Sequence, residues 1–366
     1  MQNYTNEQTG KVYGELKEKK EGFFAKIFRN LFTGCLSCGC LFLIVCLLFI
    51  ALFFYFISGD SGIKTGNPFT GQNSDSDFSE EFVTGSPDSS SRIAVIKVYG
   101  MITRDENASF STCAVSGNII RQLQLASADD SVKAVIIDLD TPGGEVTASD
   151  EIYKKILEVR KKKPVIAMMN TLCASGGYYI AAGCYPVIAN KYTLTGSIGV
   201  IISTWNYKGL FDKIGLKTEV YTSGKMKDML NGGRERTAEE TALVRTLVMN
   251  TYDGFVHVVA SSRKIPADKI RNSPVGDGRI FDGKQALELK LVDTLGYFED
   301  AVQAAVKEAK LKDFQVFRYE DKFDFGRFFN TLMAKSPAVF LPLSSSGTPG
   351  DVRIRKGVLY FLPAGY

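Results

Sequence analysis

Short apolar runs alternate with amphipathic segments along the chain from residue 93 onward. The first runs are rich in β-branched residues, which is typical of strands buried in a sheet. The predicted strands are RIAVIKVYG, AVIIDLD, PVIAMMN, YPVIAN, GSIGVI and TEVYTSG. Because helical segments separate the runs, the pattern predicts an α/β domain in which helices cover a sheet.

The segments between and after these runs have a helical period. TASDEIYKKILEVRKKK is predicted to open with a capping box formed by Thr147 and Asp150. Thr237 and Glu240 form a second predicted box at the start of a long helix that ends near residue 263. NYKGLFDKIG predicts a short helix, and two more are predicted between residues 282 and 310.

A membrane segment precedes this domain. Residues 36–57 contain 22 residues without a charge, enough to cross a hydrocarbon core of roughly 30 Å as a helix. The run is longer than a signal-peptide core, and no A-x-A-like cleavage site follows it. We therefore expect an uncleaved transmembrane signal anchor over residues 35–57.

The flanks of this segment predict its orientation. Six basic residues precede it and only Lys64 and Arg92 follow it up to residue 92. The positive-inside rule then places residues 1–34 in the cytoplasm and the large C-terminal part outside the cytoplasmic membrane. Residues 58–92 are rich in Ser, Gly and Asp and are predicted to be a flexible linker. The catalytic domain is expected over residues 93–312, with a C-terminal extension over residues 313–366.

Composition and net charge say little about the partners of this protein. The net charge of +4 is small, and no basic stripe with interleaved aromatic residues indicates a nucleic-acid partner. CLSCGC at residues 35–40 resembles a metal spacing, but no second pair and no histidine completes four ligands. No metal or cofactor is therefore expected.

TLCASGGYYIAAGC, residues 171–184, predicts a helix that begins abruptly after Ser175. Ser175 is either a nucleophile or a helix cap. His257, the only histidine of the chain, falls on the polar side of the long helix and is expected to be solvated. A Ser-His-Asp triad is therefore not expected, and another base would have to take the proton of Ser175.

Lysine is the alternative base, but only as the neutral amine. About one lysine in 2,500 is neutral at pH 7 in water, so a lysine base needs an apolar environment. YTSGKMKDML offers Lys225 and Lys227, which would point to the same face of a strand. The alternation of side chains between the two faces of a strand therefore does not indicate which of the two lysines would be the base.

An acyl-transfer site also needs backbone N–H groups for the oxyanion. In DLDTPGGEV, Gly143 and Gly144 follow a predicted strand and have no side chain that would obstruct an N–H group. An ordinary strand-to-helix turn is the alternative reading of this motif. Gly176, at the start of the helix after Ser175, adds a helix N-terminus that favours negative charge.

Four motifs resemble the signal peptide peptidase A family in order and spacing, in its short bacterial form with one catalytic domain. They are TPGG at 141–144, ASGGYYIAA at 174–182, TLTGSIGV at 193–200 and SGKMKD at 223–228. The resemblance covers residues 93 to about 310. ASGGYY followed by SGxxKD is specific, whereas PGG is shared with ClpP and crotonase relatives.

The resemblance implies a ClpP/crotonase-like spiral of ββα units preceded by one transmembrane helix. It implies a Ser/Lys dyad in which Ser175 is the nucleophile and Lys227, the lysine before Asp in SGxxKD, is the base. Ser197 would orient the lysine, and Gly144 would be the oxyanion glycine. The family also implies remnant signal peptides as substrates and a homo-oligomer whose active sites lie between subunits.

Two other readings stay open at this point. A catalytically silent scaffold of the same fold would not depend on Ser175, and a crotonase-type enzyme would bind an acyl-CoA thioester. The apolar C-terminal sequence FLPAGY adds a further hypothesis, that the tail occupies the protein's own substrate groove.

Overall fold

The structure, a computed structural model, describes residues 78–105, 113–322 and 360–361. The predicted cytoplasmic segment, the transmembrane segment at 35–57 and most of the predicted linker and C-terminal extension lie outside the described residues. Within the described ranges, no helix combines the length and the apolar character that a membrane crossing requires.

The described residues contain thirteen strands and eight α-helices. The strands are β1 (Phe78–Gly85), β2 (Arg92–Tyr99), β3 (Met101–Thr103), β4 (Cys113–Val115), β5 (Val132–Thr141), β6 (Gly144–Glu145), β7 (Val165–Ala174), β8 (Val187–Ala189), β9 (Leu194–Gly196), β10 (Ile280–Phe281), β11 (Thr294–Leu295), β12 (Gln315–Asp321) and β13 (Tyr360–Phe361). The helices are α1 (Ser116–Ala128), α2 (Val146–Arg160), α3 (Gly176–Ala181), α4 (Lys208–Ile214), α5 (Ala238–Arg263), α6 (Ala267–Arg271), α7 (Gly283–Glu288) and α8 (Phe298–Glu308).

A nine-stranded sheet forms the centre of the domain. Its order is β1-β12-β2-β5-β7-β8-β11, with β9 beside β7 and β10 beside β9. The strands from β12 to β11 along this path are parallel, and β1 is antiparallel to β12. The prediction of an α/β domain in which helices cover a sheet is confirmed, and the structure shows that most of the sheet is parallel.

Helices cover both faces of this sheet, which explains why its central strands are continuous apolar runs. On one face, Ile137 and Leu139 of β5 share a core with Ile152 and Ile156 of α2. On the other face, Ile136 belongs to a second core that includes Ala301 of α8. Alternate residues of β5 therefore enter different cores, so both sets must be apolar.

A second, smaller sheet lies at the end of β5 and has the order β13-β6-β3-β4. β6 is only two residues long, Gly144–Glu145, and runs straight into α2. Ile102 of β3 pairs with Gly144, and Ile102 N donates to Gly143 O at 2.8 Å. This sheet fixes the backbone of the PGG motif beside the carboxyl ends of the main strands.

The nine-stranded sheet includes strands on both sides of the predicted catalytic domain, residues 93–312. β1, within the predicted linker, pairs with β12, which lies in the predicted extension. β12 in turn pairs with β2 in the body of the sheet. β1 is mostly exposed and carries charges, because an edge strand needs apolar side chains only where it touches its neighbour.

Three local predictions were wrong. TEVYTSG is not a strand, since residues 218–224 have no regular structure and are all exposed. GSIGVI forms no strand past Gly196, where β9 ends. Thr147 and Asp150 do not form a capping box, because the strand β6 leads directly to Glu145 as N-cap and Asp150 instead accepts from Tyr179 Oη at 2.9 Å. The box formed by Thr237 and Glu240 is confirmed.

Residues 201–250, here called the arm, differ from the rest of the domain in burial. Gly232 and Glu240 are the only buried residues of the arm, all of which is described, and α4 buries none. Only the second half of α5 enters the core, through residues such as Phe255 and Val259. The arm exposes large apolar side chains, namely Trp205, Leu210, Ile214, Leu216, Val220, Tyr221, Leu243, Leu247 and Met249.

Candidate active site

Ser175 lies at the junction of β7 and α3, at the carboxyl edge of the parallel sheet. Its backbone has φ 51° and ψ −112°, a conformation that costs a non-glycine residue free energy and is found most often at functional sites. Ser175 N donates to Gly196 O at 2.8 Å, and Ser175 O accepts from Tyr179 N at 2.9 Å. The neighbouring strand and the helix thus hold the serine in this strained conformation.

The hydroxyl of Ser175 is buried and has no hydrogen-bond partner. Although Ser175 occupies the N-cap position of α3, its side chain caps no backbone N–H group. A buried polar atom without a partner costs stability and calls for an explanation. The helix-cap reading of Ser175 therefore fails, because its hydroxyl makes no hydrogen bond that stabilises the helix.

Gly144 approaches the backbone of β3 so closely that no side chain fits. An added Cβ would lie 2.0 Å from Ile102 O. The N–H of the preceding Gly143 is already donated to Thr141 Oγ1 at 3.0 Å. Of the two glycines that the sequence offered, Gly144 is therefore the better candidate for an oxyanion donor.

Gly176 lies against the same PGG turn. A Cβ on Gly176 would lie 3.1 Å from Gly144 N, 3.2 Å from Gly143 Cα and 2.6 Å from Ser149 Oγ. The fold thus brings Gly144 and Gly176 together beside Ser175, although they come from different strand–helix junctions. Two adjacent glycines beside a serine are typical of an oxyanion hole, whose donors are backbone N–H groups.

Ser197 occupies the equivalent position on the next strand. Ala174 of β7 pairs with Gly196 of β9, so Ser175 and Ser197 each follow one member of this pair. Ser197 is buried, has a φ of 50°, and its N–H donates to Arg279 O at 2.8 Å. The structure therefore brings the two predicted serines to the same edge of the sheet.

The two lysines of SGKMKD lie in the arm and are both exposed. Lys225 Nζ forms an ion pair with Glu239 at 2.9 Å. Lys227 has no ion pair among the described residues. Because Ser175 Oγ has no partner, neither lysine is hydrogen-bonded to it within one chain.

The environments of His257, Cys173 and Cys184 argue against a catalytic role for these three residues. His257 is exposed on α5, as predicted. Cys173, two residues before Ser175, is buried, and burial raises the pKa of its thiol well above the ordinary value. Burial also raises the pKa of Cys184 to about 12. Both thiols therefore stay protonated and act as packing residues.

Two residues that support the candidate site, Thr141 and Arg234, were not predicted from the sequence. Thr141 sits between the sheet and the PGG turn, donating from Oγ1 to Gly100 O at 2.6 Å while accepting from Gly143 N. Arg234 connects Asp228, the residue after Lys227, to Glu240 at the start of α5. In the sequence, the only sign of the contact between Arg234 and Asp228 was that Arg234 follows Lys227 and Asp228 within one short segment.

The C-terminal tail meets the PGG motif. β13 is antiparallel to β6, and Phe361 pairs with Gly144 while Tyr360 pairs with Glu145. β6 lies between β3 and β13, so its outer edge accepts an extended segment of chain. A peptide that binds along this edge would pass Gly144, against which Gly176, the residue after Ser175, packs.

Comparison with known proteins agrees with this geometry. Residues 158–312 match peptidase family S49, a stretch that contains Ser175, Ser197 and Lys227. The chain is thus similar to peptidase family S49 over this stretch, and the predicted likeness to the signal peptide peptidase A family is confirmed.

Three relatives illustrate the likeness. "Putative signal peptide peptidase SppA" of Enterococcus faecium is 41% identical over 205 residues, which are 56% of this chain and 59% of that protein. "Serine protease SPPA, chloroplastic" of Arabidopsis thaliana is 34% identical over 60% of this chain and 33% of its own length. "Protease 4" of Salmonella typhi is 30% identical over 64% of this chain and 37% of its own length. The chain therefore spans less than two thirds of the length of these relatives.

Proposed function

We propose that this protein is a membrane-anchored serine endopeptidase with a Ser/Lys dyad, which degrades remnant signal peptides and other membrane-associated peptides. Ser175 is the nucleophile, Lys227 the general base, and Ser197 the residue that orients the lysine. Gly144 and Gly176 hold the oxyanion. The names of the relatives from Enterococcus faecium and Arabidopsis thaliana support the peptidase class and the substrate.

One observation carries the proposal. Ser175 has a strained backbone and a buried hydroxyl without a partner, next to the converging glycines Gly144 and Gly176. A serine that only stabilised the fold would use its hydroxyl as a cap or relax its backbone. An acyl-transfer nucleophile needs both the free hydroxyl and the adjacent N–H donors.

The reaction follows from these groups. The neutral amine of Lys227 takes the proton of Ser175 Oγ, which attacks the carbonyl carbon of the scissile peptide bond. Gly144 and Gly176 stabilise the oxyanion, and collapse breaks the C–N bond while the lysine protonates the leaving amine. Lys227 then deprotonates a water molecule, whose attack on the ester releases the second product and returns the proton to Ser175.

We further propose that Lys227 serves Ser175 of a neighbouring copy of this chain. Within one chain Lys227 is exposed and Ser175 Oγ has no partner, so a dyad requires another source of the amine. The arm that carries Lys227 exposes Trp205 to 86% and Tyr221 to 92%. Contact with a second subunit would bury these side chains and place the lysine in the apolar environment that a neutral amine needs.

The predicted anchor suits the substrate. With residues 35–57 in the membrane and residues 1–34 in the cytoplasm, the peptidase domain would lie outside the cytoplasmic membrane. Remnant signal peptides are apolar and remain in or near that membrane. An anchored enzyme therefore meets them at a high local concentration.

The test is peptide hydrolysis by the full-length protein in detergent, with an apolar fluorogenic peptide, between pH 6 and pH 10. We expect Ser175→Ala and Lys227→Ala each to lower the rate by about 10³-fold or more. Lys225→Ala is the matched control, because the same motif supplies it and Glu239 already pairs with it. It should keep a rate within about threefold of the parent.

The outcomes separate the readings. An inactive parent, or a Ser175→Ala variant that still cleaves, would contradict the peptidase and favour the scaffold. Loss of activity in Lys225→Ala but not in Lys227→Ala would move the base to the other lysine. Because the base acts as a neutral amine, the rate of the parent should rise with pH rather than fall.

A further inference from the structure

The loop that carries Lys227 has little structure of its own. Between α4 and α5 the backbone forms turns, in which Lys227 N donates to Gly224 O at 3.0 Å and Asn231 N donates to Asp228 O at 2.8 Å. No strand or helix holds residues 217–236. Catalysis by Lys227 requires a defined position, since displacement of a catalytic group by about 1 Å can cost about 100-fold in rate.

Arg234 holds this loop at the residue next to the lysine. Its Nε donates to Asp228 Oδ2 at 2.9 Å and its Nη2 to Asp228 Oδ1 at 2.7 Å. Two parallel bonds fix both the distance and the orientation of the carboxylate. The hydrogen bonds from Arg234 lower the pKa of Asp228, so its carboxylate is ionised in this arrangement.

The other side of the guanidinium binds Glu240, which anchors the loop to α5. Arg234 Nη1 donates to Glu240 Oε2 at 2.9 Å, and Thr237 N donates to the same oxygen at 2.8 Å. The side chain of Glu240 is only 2% exposed, unlike most of the arm. Arg234 lowers the pKa of Glu240 to about 2. The arginine thus joins the loop to a helix whose far half lies in the core.

This arrangement also has an electrostatic consequence for the base. A free carboxylate on Asp228, adjacent in sequence, would attract the ammonium form of Lys227 and oppose its role as a base. Arg234 engages both oxygens of that carboxylate. Of the neighbouring charged groups, Lys225 forms an ion pair with Glu239, and Glu235 accepts a hydrogen bond from Asn206 Nδ2 at 3.3 Å.

We propose that Arg234 is a positioning residue for the catalytic lysine: it fixes the Lys227 loop to the start of α5 and withholds the carboxylate of Asp228 from Lys227. The proposal rests on the proposed function, in which Lys227 is the base. Arg234 touches neither the substrate nor Ser175 in this role. It acts through Asp228 and Glu240.

The test compares kcat, KM and the pH profile of full-length variants on the same fluorogenic peptide. For Arg234→Gln we expect kcat to fall about 100-fold, with KM changed by less than about threefold, because only the base is displaced. The pH at which the rate reaches half of its maximum should rise, since the released Asp228 favours the ammonium form. Arg234→Lys keeps the charge without the bidentate fork, so it should recover part of the loss.

One further variant keeps the test decisive if Arg234→Gln disturbs folding. Asp228→Asn leaves the pair between Arg234 and Glu240 in place, and it should also lower kcat. If Arg234 acts through Asp228, the double variant that combines Arg234→Gln with Asp228→Asn should be no slower than Arg234→Gln alone. Arg271→Gln is the matched control, because Arg271 of α6 pairs with Asp253 of α5 at 2.9 Å, outside the loop that carries Lys227.

The results distinguish this proposal from the proposed function. If the parent cleaves and Lys227→Ala does not, but Arg234→Gln and Asp228→Asn keep the parental kcat and pH profile, the positioning role is wrong and the dyad stands. An equal loss in Arg271→Gln would show a general effect of arginine removal and would also overturn it. If Lys227→Ala remains active, the proposed function itself fails.

Discussion

The two halves of the candidate dyad lie in very different parts of the molecule. Ser175 ends a buried parallel strand and is fixed by Gly196 on one side and Tyr179 on the other. Lys227 lies in an exposed arm that buries almost nothing. The proposed nucleophile therefore lies in a part of the fold that one chain completes, whereas the proposed base lies in a part that one chain leaves exposed.

This difference indicates what each region needs from its surroundings. The sheet gains its stability from apolar burial within the chain, so the position of Ser175 follows from the fold. The arm has exposed aromatic side chains and a few ionic contacts, and we propose that a neighbouring subunit fixes its position. We expect changes near Ser175 to act on chemistry and changes in the arm to act on assembly first.

Outside the proposed dyad, the largest effect is expected from Gly144→Ala. An added Cβ would collide with Ile102 O at 2.0 Å, so the PGG turn must move and the oxyanion donor with it. We expect a loss of about 10²- to 10³-fold in kcat. The measurement is peptide hydrolysis, with folding checked by circular dichroism. Gly254→Ala, where a Cβ meets nothing within 4 Å, is the control. Full activity of Gly144→Ala would remove Gly144 from the oxyanion hole.

An intermediate effect is expected from Tyr221→Asp in the arm. In an isolated chain a change at so exposed a position would be silent. If a second subunit covers the arm, the charge should block assembly and lower activity about tenfold or more. Light scattering gives the mass, and the emission of Trp205, the only tryptophan, reports burial of the arm.

The matched control for the arm is Tyr192→Asp. Tyr192 is also an exposed tyrosine, but it lies in the body of the domain. We expect it to leave mass, emission and rate unchanged. An arm variant that behaves like this control would break the comparison between the two regions.

A smaller effect is expected from removal of the tail after residue 345. β13 occupies the edge of β6 at Gly144, where we propose that substrate binds. Because the tail is tethered, it competes at a high effective concentration, and its removal should raise the peptidase rate about threefold or more. An unchanged rate in the truncated protein would show that the tail does not occupy the substrate groove. Truncation combined with Ser175→Ala should stay inactive.

Sequence predicted the interior of the fold well because burial on both faces leaves a direct pattern. Continuous apolar runs gave β2, β5 and β7, and the abrupt small-residue motif gave the junction at Ser175. The capping box of Thr237 and Glu240 was also predictable, since it depends on local spacing.

The edges and the arm were harder to predict for a physical reason. β1 carries acidic residues that suggest a linker, and only its pairing with the distant β12 makes it a strand. TEVYTSG has the composition of a strand but finds no neighbour within the chain. A pattern records which side chains tolerate burial, not whether a partner is present.

In the proposed enzyme, Ser175 and Lys227 of one active site come from different chains, and subunit complementation tests this most directly. Ser175→Ala and Lys227→Ala are each expected to be inactive, so the two variants are produced separately and together in one cell. If neighbouring chains share each site, random mixing should restore activity at about a quarter of the sites. Co-expressed variants that form mixed oligomers yet stay as inactive as either one alone would contradict the account.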